Sequence, residues 1–309
     1  MKQEDFKEAM KEYLEKHYER VEFIKHPIIN DVIDAVKIND KLFFLADAYY
    51  LYDMCKDFDK VIEKLEEALA KSKKIAPAKI SKDKIVMQII NKDRNKELLK
   101  NILYREFLDL AIIYKSYYEI DQNNGYFGFI NNEDLKNLEL SEEDLYLIAK
   151  ENTQKYFPEM IIRATDFEHL FEKDIEDIPN DFMFFLTNRD LYYGAITIIY
   201  DKIKEIALKY NKNLYILPSS IHDLVVILDG MISPEILMSI HKNIQENSHK
   251  EDFLSDNIYY YDREKNEFSI IKTLDENEKM IMSKTAALIE KFKGEGIIWR
   301  HLEDGIKNI

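Results

Sequence analysis

Segments of alternating apolar and polar residues sit beside segments of helical period, with turn residues spaced closely enough for hairpins. These observations predict an α+β fold: mixed or antiparallel sheets with hairpins, packed by helices and followed by a helical C-terminal tail. A composition that is 46% hydrophobic and 33% charged over 309 residues supplies core enough for one large domain or two smaller ones. The expected organisation is an N-terminal α+β region over 1–105, an α+β core domain over 106–272 and the tail over 273–309.

The elements follow in order. Phe6, Met10, Tyr13, Leu14 and His17 recur at three- and four-residue spacing, which predicts an amphipathic helix over 2–20. Residues 21–45 are β-branched and aromatic, and Val21–Ile24 and Asp31–Val36 read as paired strands. Helical period returns over 58–74 through Val61, Ile62, Leu65, Ala68 and Leu69, and stops before Pro77. Ile85, Ile89, Ile90, Leu98, Leu99 and Ile102 predict a further helix over 81–105. Between two β-rich runs at 108–130 lies Asn124-Gly125, a strong hairpin signal because both residues tolerate positive φ. A short helix follows near Leu135, and Ser141 with Asp144 approximates a capping box for a long one reaching Tyr156. Met160–Arg163 and Phe182–Leu186 read as strands around a short helix at 165–172, and a helix is expected over 195–210. Strands at Leu214–Leu217 and Asp223–Leu228 flank Pro218-Ser219-Ser220. Pro234 suits the first turn of a helix reaching residue 247, and Ile258–Asp262 with Phe268–Ile271 forms a second hairpin.

Charge narrows the function classes. Residues 1–120 carry 23 acidic and 23 basic side chains, whereas 121–309 carry 36 acidic and 21 basic, the whole of the net −15. Direct nucleic-acid binding needs a basic footprint to displace counterions, so it is not expected. No apolar run reaches the ~20 residues of a membrane helix and the first residues lack a secretory apolar stretch, so a cytoplasmic protein is expected. Cys55 is the single cysteine, which excludes intrachain disulfides, cysteine zinc clusters and CxxC chemistry.

Ser219, Ser220, His222 and Asp223 are the candidates for catalysis, since a serine, a histidine and an acid can together activate a hydroxyl nucleophile. Positions two apart in an extended segment run parallel about 7 Å apart rather than meeting, and no Gly-x-Ser-x-Gly elbow is present. The structural alternative is a turn fixed by Pro218 in which serine hydroxyls bond backbone groups and the imidazole stays off both of them. Metal sites are not expected: Asp121–Gly125 has its glycine one place early for a calcium loop, and His169 with Glu172 and His241 with His249 lack a third ligand. No cofactor is expected either, because Gly125 with Gly128 and Gly294 with Gly296 lack the lysine and helix start of a phosphate loop. The densest acidic strip holds Asp166, Glu168, Glu172, Asp174, Glu176, Asp177 and Asp181, with Glu142, Glu143 and Asp144 as candidate additions. It could fit a basic groove of a nucleic-acid-handling partner, and Trp299 could anchor a partner or pack on its own chain.

Several strings carry a family resemblance: Asp109–Tyr114, Ala149 with Asn152-Thr153, Phe157-Pro158 with Met160, Leu186-Thr187-Asn188, Tyr193-Gly194-Ala195 and Leu217-Pro218-Ser219-Ser220-Ile221-His222. In these the chain resembles DUF5688, a bacterial domain-of-unknown-function family carried on integrative elements and phage-like islands, well over roughly residues 100–272 and loosely over the first hundred. It departs from the family pattern at Asp223, where glutamate is usual, and at Asp229-Gly230, where the strand usually ends in proline. The resemblance implies a cytoplasmic accessory of a mobile element and assigns no catalytic or binding residue. The expected function is therefore a non-catalytic interaction protein of such an element. The alternatives are an anti-CRISPR-like inhibitor using its acidity as a nucleic-acid mimic, and a hydrolase built on Ser220 and His222.

Overall fold

Helix α1 (Gln3–His17) forms because Phe6, Met10 and Leu14 fall on one face, with Glu4 and Asp5 in its first turn and Lys16 and His17 in its last, as the helix dipole favours. The computed structural model describes residues 1–39, 41–72, 80–119, 125–163, 182–232 and 234–271. The chain divides into two units, Met1–Val86 with Lys92–Tyr104 and Tyr114–Ala149, and Met87–Asn91 with Arg105–Ile113 and Lys150–Ile309.

In the first unit, β1 (Val21–Ile28), β2 (Asp31–Ile38) and β3 (Lys41–Phe44) form an antiparallel sheet in that order. Val36 lies opposite Phe23 and Phe43, and all three pack into one core with α1, α2 (Leu45–Cys55) and α3 (Phe58–Ser72). Phe6 sits at the centre of that core, its ring 5.3–5.8 Å from those of Tyr49, Tyr52 and Phe58. The β1–β2 turn places Asn30 at φ 61°, and its backbone N–H donates to Asn95 Oδ1 at 2.7 Å while Asn95 Nδ2 donates back to Asn30 Oδ1 at 2.9 Å. Helix α2 was not expected: its apolar and aromatic residues continue the β-rich composition before it, which hides the change of period.

The helix expected over 81–105 is corrected. That interval holds a 3-10 turn (Lys82–Lys84), β4 (Ile85–Asn91), α4 (Lys96–Leu99) and the start of β5 (Tyr104–Phe107). Every residue of β4 is buried, and a short apolar run buried on both faces has no period to separate strand from helix. β4, β6 (Leu110–Glu119) and β5 are neighbours in that sheet order, and β7 (Gly125–Phe129) pairs with β6 as the hairpin signal predicted, Lys115 opposite Phe129. Helix α5 (Asn132–Asn137) is capped by Asn131, and α6 (Glu142–Tyr156) by Ser141, whose Oγ accepts from Asp144 N at 3.1 Å.

The second unit is built on a six-stranded antiparallel sheet of order β13–β12–β10–β11–β9–β8. Its strands are β8 (Glu159–Arg163), β9 (Met183–Asn188), β10 (Leu214–Pro218), β11 (Leu224–Leu228), β12 (Ile258–Asp262) and β13 (Glu267–Ile271). β9, β10 and β11 are almost wholly buried, and α8 (Pro234–Asn247) contributes Leu237 to the core with Phe185, Leu217, Val225 and Ile227. The single helix expected over 195–210 is also corrected. Gly194–Ile199 is a 3-10 helix, Tyr200 is extended, and α7 (Lys202–Tyr210) begins only afterwards. The β-branched run Ile196–Ile199 disfavours the α conformation, and Thr197 Oγ1 tightens the turn by donating to Gly194 O at 2.7 Å. The molecule is α+β, and among its described residues no helix is long and apolar enough to cross a membrane.

Candidate functional site

Strand β10 ends at Pro218, and the chain turns through Ser219–Asp223 into β11. Ser219 Oγ donates to the Asp223 carbonyl at 2.9 Å and bonds its carboxylate Oδ1, and Ser220 Oγ donates to the same Oδ1 at 2.9 Å. His222 N in turn donates to Ser220 Oγ at 2.9 Å. Ser219, Ser220 and Asp223 are buried. Burial pushes the Asp223 carboxyl up to about 7, against the downward pull of the two serine hydroxyls, and the neighbouring Asp252 charge adds to the rise.

The imidazole points the other way. Its Nδ1 accepts from Tyr193 N at 3.0 Å, and Nε2 lies 3.2 Å from Asp252 Oδ1. A backbone N–H can only donate, so Nδ1 is the bare nitrogen and Nε2 carries the proton towards Asp252. The ring stacks on Tyr193 at 5.5 Å between centroids and 19° between planes, and Tyr192 closes the group with its OH donating to Tyr193 OH at 2.8 Å. Burial and that phenol neighbour hold the Tyr193 hydroxyl well above the ordinary tyrosine range.

The loop that carries the tyrosines is held in sparsely populated backbone conformations, with Leu191 at φ 53° and Tyr193 at φ 58°. Asn188 restrains it: Oδ1 accepts from Asp190 N and Tyr192 N, and Nδ2 donates to Tyr192 O at 2.8 Å. Thr187 Oγ1 donates to His222 O at 2.8 Å, and Gly194 lies where a Cβ would stand 2.5 Å from His222 O and 2.7 Å from Asn188 N. From α8, Gln245 Nε2 donates to Pro218 O at 3.3 Å and Ser255 O at 2.8 Å, and just past the helix Ser248 Oγ donates to Ser219 O at 2.9 Å. These side chains take over where the β10–β12 register stops, at Ile216 opposite Tyr259.

The structure thus brings Ser219, Ser220 and Asp223 together and turns the His222 ring away from both hydroxyls. The serines bond a carboxylate as well as backbone, which the turn reading did not anticipate. Asp166, Glu168, Glu172, Asp174, Glu176, Asp177, Asp181 and Trp299 lie outside the described residues, as do His169 and Asp121–Asn124. Glu142, Glu143 and Asp144 form the first turn of α6. Among the described residues no three His, Cys, Asp or Glu side chains gather as a metal site. Tyr192, Gln245, Ser248 and Asp252 were not singled out from sequence, where nothing about their neighbours marks them. Three of the strings noted above, at Thr187-Asn188, Tyr193-Gly194 and Ser219–His222, converge here.

Asp223 makes stability depend on pH. Its folded-state pKa lies above the unfolded value, so the folded chain holds this proton more firmly, and that contribution is lost as pH rises from about 4 through about 7. At 1.36 kcal/mol per unit the full loss is on the order of 4 kcal/mol. Asp223→Asn keeps an acceptor oxygen for the serines and cannot ionise. Urea midpoints measured from about pH 5 to 8 should fall in the wild type relative to the variant; parallel curves would refute the assignment.

Comparison with curated proteins and with solved structures gives no match. The model of a family of unknown function, DUF5688, matches residues 3–263, and that span includes the converging strings and most of the described fold. The chain belongs to the DUF5688 family.

Proposed function

We propose that the chain is a non-catalytic interaction protein, an accessory of a mobile genetic element that acts through a protein partner. The observation that carries this reading is the closure of the serine turn: both hydroxyls are engaged by Asp223, and both ring nitrogens of His222 by Tyr193 and Asp252. A catalytic serine needs a base aimed at its hydroxyl and an open side for substrate, whereas here the buried groups serve one another. The mobile-element context rests on the resemblance of the converging strings. The acidic excess in residues 121–309 supports a basic, nucleic-acid-handling partner, and an anti-CRISPR-like mimic is the sharper form of that reading.

One observation favours a hydrolase as the second reading. Asp223, with its carboxyl near 7, lies in reach of both hydroxyls, so the base would be Asp223 rather than His222. Kinetics of the full chain with a captured partner separate the two. Binding should weaken steeply between low and physiological salt, and joint neutralisation of Asp174, Glu176 and Asp177 should slow association more than it speeds dissociation. Ester or amide turnover abolished by Ser220→Ala, without salt-sensitive binding, would instead establish the hydrolase.

A further inference from the structure

The His222 ring joins three pieces of backbone that are distant in sequence: the Ser219–Asp223 turn, the Asp190–Tyr193 loop and the 3-10 helix Lys250–Asp252. The side chain is 19% exposed, so protons reach it from solvent. Among the described residues, the titratable groups recorded against the ring are Asp252 from the 3-10 helix and the phenols of Tyr192 and Tyr193 from the loop. Asp223, next in the chain, turns its carboxylate to Ser219 and Ser220, while Lys250 and Glu251 are exposed.

We infer that His222 is a proton-operated latch on the Asp190–Tyr193 loop. With Nε2 already bearing a hydrogen, the added proton must go to Nδ1, the atom that accepts the Tyr193 N–H. The new N–H then faces another donor, and the Tyr193 hydrogen bond is lost. The 3.2 Å contact from Nε2 to Asp252 becomes an ion pair once the ring is charged. Leu191 and Tyr193 hold left-handed backbone angles that non-glycine residues adopt only when surrounding bonds impose them, so removing one bond lets the loop relax. Tyr192, half-exposed at the outer side of the group, moves with it. Imidazole is the side chain whose ordinary charge change lies nearest neutrality, so pH is the variable that would work such a latch.

Amide exchange at Tyr193 in the full-length ¹⁵N-labelled protein tests this, corrected for the intrinsic rate and read beside the ¹⁵N shift of His222 Nδ1. Protection should fall about tenfold from about pH 8 to pH 5, in step with protonation of His222. In His222→Asn, whose side-chain oxygen can accept the same N–H without titrating, protection should not change across that range. Unchanged wild-type protection, absence of His222 protonation in that range, or an equal loss in His222→Asn overturns the latch. Should His222→Asn not fold, unchanged wild-type protection from about pH 8 to pH 5 overturns it alone.

Discussion

Gly194→Ala is expected to destabilise the second unit by about 3 kcal/mol or more, at the upper end of overpacking changes. The new methyl would meet Thr187 Oγ1, His222 O at 2.5 Å and Asn188 N at 2.7 Å. Two of these are backbone atoms, and neither is free to retreat. Asn188 closes β9, paired to Glu159 of β8, and His222 O accepts the Thr187 hydroxyl. Relief therefore requires the Tyr193–Ile199 segment to lift off the Ser219–Asp223 turn, breaking the Tyr193 to His222 bond at the same time. Urea denaturation of the variant, followed by circular dichroism, measures the loss. Adding Thr187→Ala should recover only the share due to the hydroxyl, and a fully restored midpoint would show that the backbone atoms can yield.

Asp109→Ala is expected to cost about 3–5 kcal/mol, because it strips three donors of one acceptor group. Asp109 Oδ2 accepts from Ser255 Oγ at 2.6 Å and Asn257 Nδ2 at 2.9 Å, and Oδ1 accepts from Tyr259 OH at 2.6 Å. Ser255 and Tyr259 are fully buried, so water does not replace the lost carboxylate without opening the structure. Burial first, and then the Asp109 charge, hold the Tyr259 phenol far above its ordinary range. Tyr259→Phe removes one of the three bonds and should cost about 1.5–3 kcal/mol, the range for hydrogen bonds to charged groups. Equal midpoints for wild type and Asp109→Ala would remove this cluster from any account of stability.

Why the sequence revealed the elements better than the site is visible in these two clusters. Periodicity exposes α1 and α3, Pro234 marks the start of α8, and turn chemistry exposes the β6–β7 and β12–β13 hairpins, because each is decided by residues a few positions apart. β4 escaped because a strand buried on both faces carries no alternation. The serine turn was legible as a motif, yet its wiring was not. Tyr193 meets His222 across 29 residues, and Asp109 meets Ser255 across 146, and pairings of that separation leave no local pattern. Even the direction of the His222 ring followed from Tyr193 and Asp252 rather than from the serines two and three positions before it.

The strand order of the second sheet has a consequence for how the chain is made. β10 lies between β11 and β12, so one of its edges is satisfied by the strand that follows at once and the other only by Ile258–Asp262. At about 5–20 residues per second, the roughly 40 residues from Pro218 to Ile258 keep a ribosome occupied for about 2–8 seconds. For an equal interval after it emerges from the ribosome, Leu214–Pro218, almost entirely apolar, presents unpaired amides and carbonyls along the flank β12 will fill. A nascent chain stalled or cut in this region therefore carries a sticky strand edge, and the β12–β13 hairpin acts as the sheet's built-in closure against its neighbours on the polysome.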